Sequence, residues 1–211
     1  IVFFSVLIIP NAKASHDIEM ITMFEPDEGV FIPYILKMNA PAENLKEFLK
    51  QYVFYGVYSY GFPYFSASAL VLLPLSWFNQ AQNLPLSMLI LRQVISVLPM
   101  MLGILLLVYM HDGFRTYRSP LLLTLLMAVP GTLQNGFWWH PDGMVVLLSA
   151  LVLFLLWKDE RRIGLPFFLA AAACGILTAT KVMGVYFFLA VGMTLVWSLL
   201  EKKITFSRFI F

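Results

Sequence analysis

SPLLLTLLMAVPGTLQNGFWWHPDGMVVLLSALVLFLLW, residues 119–157, contains one charged side chain, Asp142. A run of this length is enough for two membrane crossings at ~20 residues each. It divides at Asn135-Gly136-Phe137-Trp138-Trp139-His140-Pro141-Asp142-Gly143, where Gly and Pro break a helix and a Trp pair suits a membrane interface. Blocks 64–110 and 163–200 have the same character, with Arg92 and Lys181 as their single charges. Across all 211 residues 60% are hydrophobic and 12% charged, where a soluble domain carries roughly 25% charged. Such a chain cannot cover a globular surface with polar groups, so it is expected to be an integral membrane protein.

The 14 Lys and Arg against 12 Asp and Glu give a net charge of +2, too even a balance for a nucleic-acid partner. One cysteine, Cys174, excludes a disulfide framework and a cysteine metal site. The chain opens on Ile1 without a methionine and closes three residues after Arg208, and we expect it to be the N-terminal membrane portion of a longer protein.

The remaining charges fall in clusters. Residues 11–50 hold seven acids and four lysines, whereas 111–118, 158–162 and 201–208 are short and basic. An unpaired charge at the centre of a spanning helix costs about 2.5–3.5 kcal/mol, so Arg92, Asp142 and Lys181 are expected at turns or span ends. Basic loops stay cytoplasmic, which sends the turns at Asp142 and Lys181 to the outer face. The first acidic loop joins them there only if 64–78, short for a span and interrupted by Pro74, returns to the side it started from. The expected fold is therefore all-α and multispanning. A first helix ends at Pro10, and an outer loop of 11–63 carries an amphipathic helix near 43–50. A juxtamembrane or re-entrant helix of 64–78 follows, with spans near 87–109, 120–136, 143–157, 164–180 and 182–199.

Chemistry-bearing residues gather on that outer face. Met23-Phe24-Glu25-Pro26-Asp27-Glu28-Gly29 sets three carboxylates in four residues; crowding raises their pKa values, and a carboxylate beside an apolar channel can serve as a general base. A solvated turn shaped by Pro26 and Gly29 is the plainer reading. Asp142 either caps the following span or acts with His140. Asp27, Glu28 and Asp142 also form a candidate set for a divalent metal such as Mg or Mn. Arg92 and Lys181 suit a lipid-linked phosphate, or snorkel to headgroups. The tyrosine-dense stretch 52–64 reads as an interfacial belt.

Four short motifs in this order resemble GT-C glycosyltransferases, multispanning enzymes that use polyprenyl-phosphate-linked sugars. They are Phe24-Glu25-Pro26-Asp27-Glu28, Leu89-Ile90-Leu91-Arg92-Gln93, Trp139-His140-Pro141-Asp142-Gly143 and Thr180-Lys181-Val182-Met183-Gly184. The protein-mannosyltransferase and aminoarabinose-transferase branch is the nearest. Where some relatives carry a lysine before Pro-Pro, Gly61-Phe62-Pro63 stands here. The resemblance implies an inverting transfer of a sugar from a polyprenyl-phosphate donor to an acceptor hydroxyl, on the extracytoplasmic face of a prokaryotic cytoplasmic membrane. In that scheme Asp27 is the base and Glu28 its neighbour, Asp142 with His140 forms the opposite wall, and Arg92 and Lys181 contact the donor phosphate. A transporter or lipid flippase is the alternative from another class, although such proteins favour inverted repeats and midplane charges, and no repeat is visible here.

Overall fold

In the computed structural model the longest helix among the described residues runs from Leu84 to Asp112. The structure describes residues 2–21, 26–56, 60–78 and 80–204; Glu25 and Arg208 lie outside them. Among the described residues every regular element is helical. In order these are α1 (Val2–Ser15), α2 (Pro26–Met38), α3 (Leu45–Val53), α4 (Phe62–Trp77), α5 (Leu84–Leu91), a π-helical turn (Arg92–Val97), α6 (Leu98–Asp112), α7 (Arg118–Met127), α8 (Pro130–Gln134), α9 (Asp142–Asp159), α10 (Leu165–Thr180), a 3-10 segment (Val182–Tyr186) and α11 (Phe187–Leu200).

Two of these helical runs, Leu84–Asp112 and Val182–Leu200, are long and apolar enough to cross a membrane. At 1.5 Å per residue, a 29-residue helix is about 43 Å long, more than the ~30 Å hydrocarbon core of a bilayer. Its two halves have different neighbours. α6 packs along α9 and α7, while α5 packs against α1 and α4.

α6 and α9 run in the same direction. Near their starts, a Cβ on Gly143 would lie 2.3 Å from Ser96 O; further along, one on Gly103 would lie 2.9 Å from the Leu147 backbone. Near their ends the rings of Tyr109 and Phe154 meet. The chain must therefore return between them, and it does so in two pieces. The expected single span of 120–136 is broken: α7 stops at Met127, and α8 starts at Pro130 after an extended Val129. A proline drives the preceding residue out of the α region and pre-sets the first turn of a new helix.

At the far end of α9, Asp159 accepts hydrogen bonds from the amides of Ile163 and Gly164, both 2.8 Å, and so closes the turn into α10. Arg161 there meets Glu201 beyond α11 at 2.5 Å, and Lys203 Nζ donates to Glu160 O. The 158–162 and 201–203 clusters are thus neighbours at one end of the bundle, while Asp142 and Lys181 meet at the other.

Further differences from expectation lie towards the start of the chain. α1 passes through Pro10 to Ser15, because a proline removes only one helical bond and the following turn is anchored by Asn11 Nδ2, which donates to Gly136 O at 2.8 Å. The 11–63 stretch is largely helical: α2 begins at the acidic motif, with Asp27 and Glu28 in its first turn, where the helix dipole favours negative charge. α3 starts after Glu43, capped by Asn44, whose side chain accepts from the Glu47 amide. Tyr55 and Tyr64 are fully buried with Phe31, Phe65, Met88, Leu91 and Trp139, so this part of the tyrosine stretch is core rather than interfacial belt.

Candidate functional site

Around Glu28 the charge expected to sit at a turn is instead neutralised inside a helix. Arg92 lies in the π-helical turn of the long helix, fully buried. Its Nε donates to Glu28 Oε1 at 2.8 Å, its Nη2 donates to Glu28 Oε2, and its Nη1 reaches Asn11 O at 3.5 Å. Glu28 Oε1 also accepts the Trp139 amide at 2.5 Å. Burial raises the Glu28 carboxyl above its ordinary value, opposed by the hydrogen bond and charge of Arg92 and by the Trp139 amide. The cause is burial rather than the crowding of neighbouring acids.

These contacts correct three expectations. Arg92 has no exposed surface and its guanidinium faces a carboxylate, so it is not positioned to hold a donor phosphate. Glu28 is equally sealed, so it supports the site rather than meeting a substrate. The metal set Asp27, Glu28 and Asp142 does not fit either. Both Glu28 oxygens are committed to Arg92, and among the described residues no three His, Cys, Asp or Glu side chains are grouped so as to hold a metal ion.

Trp139 connects the buried pair to the rest of the site. Its ring is fully buried and stacks on Tyr64 at 5.3 Å, and its Nε1 donates to Ser68 Oγ at 3.0 Å. Ser96, one turn beyond Arg92 on the long helix, fixes the next residue: the His140 amide donates to Ser96 Oγ at 3.1 Å, and Ser96 Oγ lies 3.3 Å from His140 O. Trp138 stacks flat on the His140 ring at 4.2 Å. The Trp pair thus serves as packing for the site, and its second member is wholly internal.

Outward from this support a single chain of polar side chains runs. Tyr60 Oη donates to Asp27 Oδ2 at 2.7 Å and lies 2.9 Å from His140 Nε2. His140 Nδ1 faces Asp142 Oδ2 at 3.2 Å, and Lys181 Nζ donates to Asp142 Oδ1 at 2.5 Å. Asp142 and Lys181 keep 30% and 28% of their side-chain surface, so this end is open to a ligand while the Glu28 end is closed. Lys181 occupies an extended residue between α10 and the 3-10 segment, a true break, as its isolation in the sequence implies. A cavity of about 300 Å³ lined by Tyr60, Gly61, Thr178, Thr180, Lys181 and Met183 opens beside it.

Tyr60 is the site residue that sequence reasoning missed, submerged among nine tyrosines. The signal beside it was Gly61. A Cβ there would fall 1.3 Å from Ala179 O, and the Gly61 amide donates to Thr180 O at 3.1 Å. Glycine thus lets the start of α4 dock on the end of α10 and brings Tyr60 to Asp27. Burial first, then the hydrogen bond and charge of Asp27 and the charge of Asp142, hold the Tyr60 phenol well above its ordinary value, so it remains a donor.

No family model matches the chain, and no curated protein or solved structure matches it.

Proposed function

We propose that the chain is part of a multispanning membrane glycosyltransferase that moves a sugar from a polyprenyl-phosphate donor to an acceptor hydroxyl at the extracytoplasmic face. The observation that carries this reading is the convergence of Asp27, His140, Asp142 and Lys181 on one line of polar contacts beside a cavity. Those residues come from separate motifs whose order suggested such an enzyme. Asp27 is the base: its neighbour Glu28 is locked inward by Arg92, which fixes the first turn of α2. An acceptor hydroxyl giving its proton to Asp27 attacks the anomeric carbon, and the bond to the phosphate oxygen breaks. Lys181, partly exposed and cationic, offsets the charge that develops on the departing phosphate.

Membrane crossing by α9 and α10 as well as the two long helical runs is supported by the apolar side chains they leave uncovered. Leu153 and Trp157 on α9, Phe168, Leu169 and Ile176 on α10, and Leu189, Met193 and Trp197 on α11 are all exposed, a surface suited to lipid rather than water. Replacing Asp27 with Asn tests the chemistry. The variant is expected to insert normally and to lose sugar transfer from a polyprenyl-phosphate donor; wild-type turnover would remove Asp27 as the base.

A further inference from the structure

Three contacts join four groups in a line: Asp27 to Tyr60 at 2.7 Å, Tyr60 to His140 Nε2 at 2.9 Å, and His140 Nδ1 to Asp142 at 3.2 Å. Each contact between two electronegative atoms at this range needs one hydrogen between them. With both carboxylates ionised and the imidazole neutral, the phenol supplies one hydrogen and the imidazole another. The line is then one proton short. In that state either Tyr60 Oη and Nε2 share a single hydrogen with Asp27, or the bare Nδ1 faces a carboxylate. His140 Nδ1 is in fact buried and makes no well-directed hydrogen bond.

A third proton satisfies every contact, in two ways that differ only in where the hydrogens sit. Either Asp27 carries it, Tyr60 donates to Nε2 and Nδ1–H faces Asp142; or Tyr60 donates to ionised Asp27 and both ring nitrogens of His140 donate. We propose that this line is a proton relay, in which Tyr60 delivers to His140 the proton that Asp27 takes from the acceptor. The proposal rests on Asp27 being the base.

The step balances. The acceptor O–H bond breaks as its oxygen bonds to the anomeric carbon, and the electron pair of the sugar–phosphate bond leaves with the phosphate. The proton arrives on Asp27. Asp27 protonates Tyr60 Oη as Tyr60 passes its own hydrogen to His140 Nε2, so the tyrosine ends unchanged and Asp27 is again a carboxylate. His140 has gained one proton and one positive charge, flanked by Asp142.

The surroundings suit that transfer. Asp142 faces the imidazole from the first turn of α9, with Lys181 from the end of α10 on its far oxygen; Asp27 of α2 is reached through Tyr60. Glu28 and Arg92 hold the Trp139 amide next door, Ser96 pins the His140 backbone and Trp138 covers the ring. Trp138 stacked on one face, with Tyr60 and Asp142 at its two nitrogens, keeps the imidazole in line with the relay.

The test needs no substrate. In protein reconstituted in nanodiscs, NMR of ¹³C-labelled aspartate and ¹⁵N-labelled histidine follows Asp27 and His140 across pH. Because the groups share a proton, their signals are expected to move together with common midpoints. In Tyr60→Phe, which lacks the connecting hydroxyl, they are expected to separate by about one pH unit or more. Independent titration in the wild type, or unchanged coupling in Tyr60→Phe, overturns the relay. Should Tyr60→Phe fail to fold, His140→Gln decides: the Asp27 midpoint must move, and an unmoved midpoint overturns the proposal. The transfer assay of Asp27→Asn is read beside it: an active variant with coupled titration in the wild type rejects the base assignment, and an inactive variant with uncoupled titration in the wild type rejects the relay alone.

Discussion

Arg92 and Glu28 are 64 residues apart in sequence and form a fully buried, two-pronged ion pair. The pair ties the first third of the longest helix to the first turn of α2, and through the Trp139 amide to the segment leading into α9. Three pieces of chain are thus held at one point, and Asp27 is positioned because the next residue cannot move.

Breaking the pair on one side leaves a buried charge without compensation, which costs about 3–5 kcal/mol. Arg92→Met or Glu28→Leu alone should therefore lower the thermal midpoint of the purified protein sharply. The double variant is expected to be more stable than either single variant yet below wild type, because the Trp139 amide loses its acceptor at a cost of about 1–3 kcal/mol. Additive losses in the double variant would show that the two residues do not interact.

Glycines separate into structural and neutral sets. Gly61→Ala and Gly143→Ala each drive a Cβ into a backbone carbonyl, at 1.3 Å and 2.3 Å respectively, and should reduce the yield of folded protein. A Cβ at Gly175 or Gly192 meets nothing within 4 Å, and alanine there is expected to leave stability unchanged or raise it by up to about 1 kcal/mol. Thermal unfolding of the four variants in one detergent distinguishes the sets.

Tyr60 should resist ionisation. The fold raises its phenol above the ordinary 10.0, so it favours the protonated form. Its contribution to stability is complete below pH 10 and is lost as pH rises through the elevated value. In tyrosinate absorbance titrations, the difference between wild type and Tyr60→Phe is therefore expected to be flat at pH 10 and to appear only at higher pH. A difference signal already present at pH 10 would mean that the phenol is exposed.

The route of α4 is open to direct labelling. α4 leaves the site at Tyr60 and a short connection takes the chain into α5, which packs against α4 and leads back to Arg92; on the proposed topology both ends of α4 lie on the extracytoplasmic side. A cysteine at exposed Gln80 should react with an impermeant maleimide from the extracytoplasmic side, with little background because Cys174 is buried. Reaction from the cytoplasmic side alone would mean that α4 crosses the bilayer.

Lone charges proved a good guide to two of three positions. Asp142 and Lys181 stand at genuine helix ends and meet each other, since nothing within their own segments can neutralise them. Arg92 defied the same logic because its partner, Glu28, comes from a distant motif, and sequence spacing cannot show that two remote charges cancel. The helices themselves were readable from apolar runs. Their interruptions were less so: Pro130 broke a stretch read as one span, whereas Pro10 did not end its helix because tertiary hydrogen bonding holds the turn beyond it. Tyr60 stayed hidden since a tyrosine's role depends on what its hydroxyl reaches, and that was fixed by the close approach at Gly61.

The π-helical turn between Arg92 and Val97 reconciles two demands on a single rod. Upstream, the helix must aim a guanidinium at α2; downstream, it must offer Gly103 to the backbone of α9. A regular α-helix advances about 100° per residue, so one residue more or fewer between those points rotates one contact face out of alignment with the other. The wider turn absorbs that offset. It acts as a phase adjuster, taking up the odd residue locally so that the guanidinium and the glycine face keep their separate directions along one continuous rod.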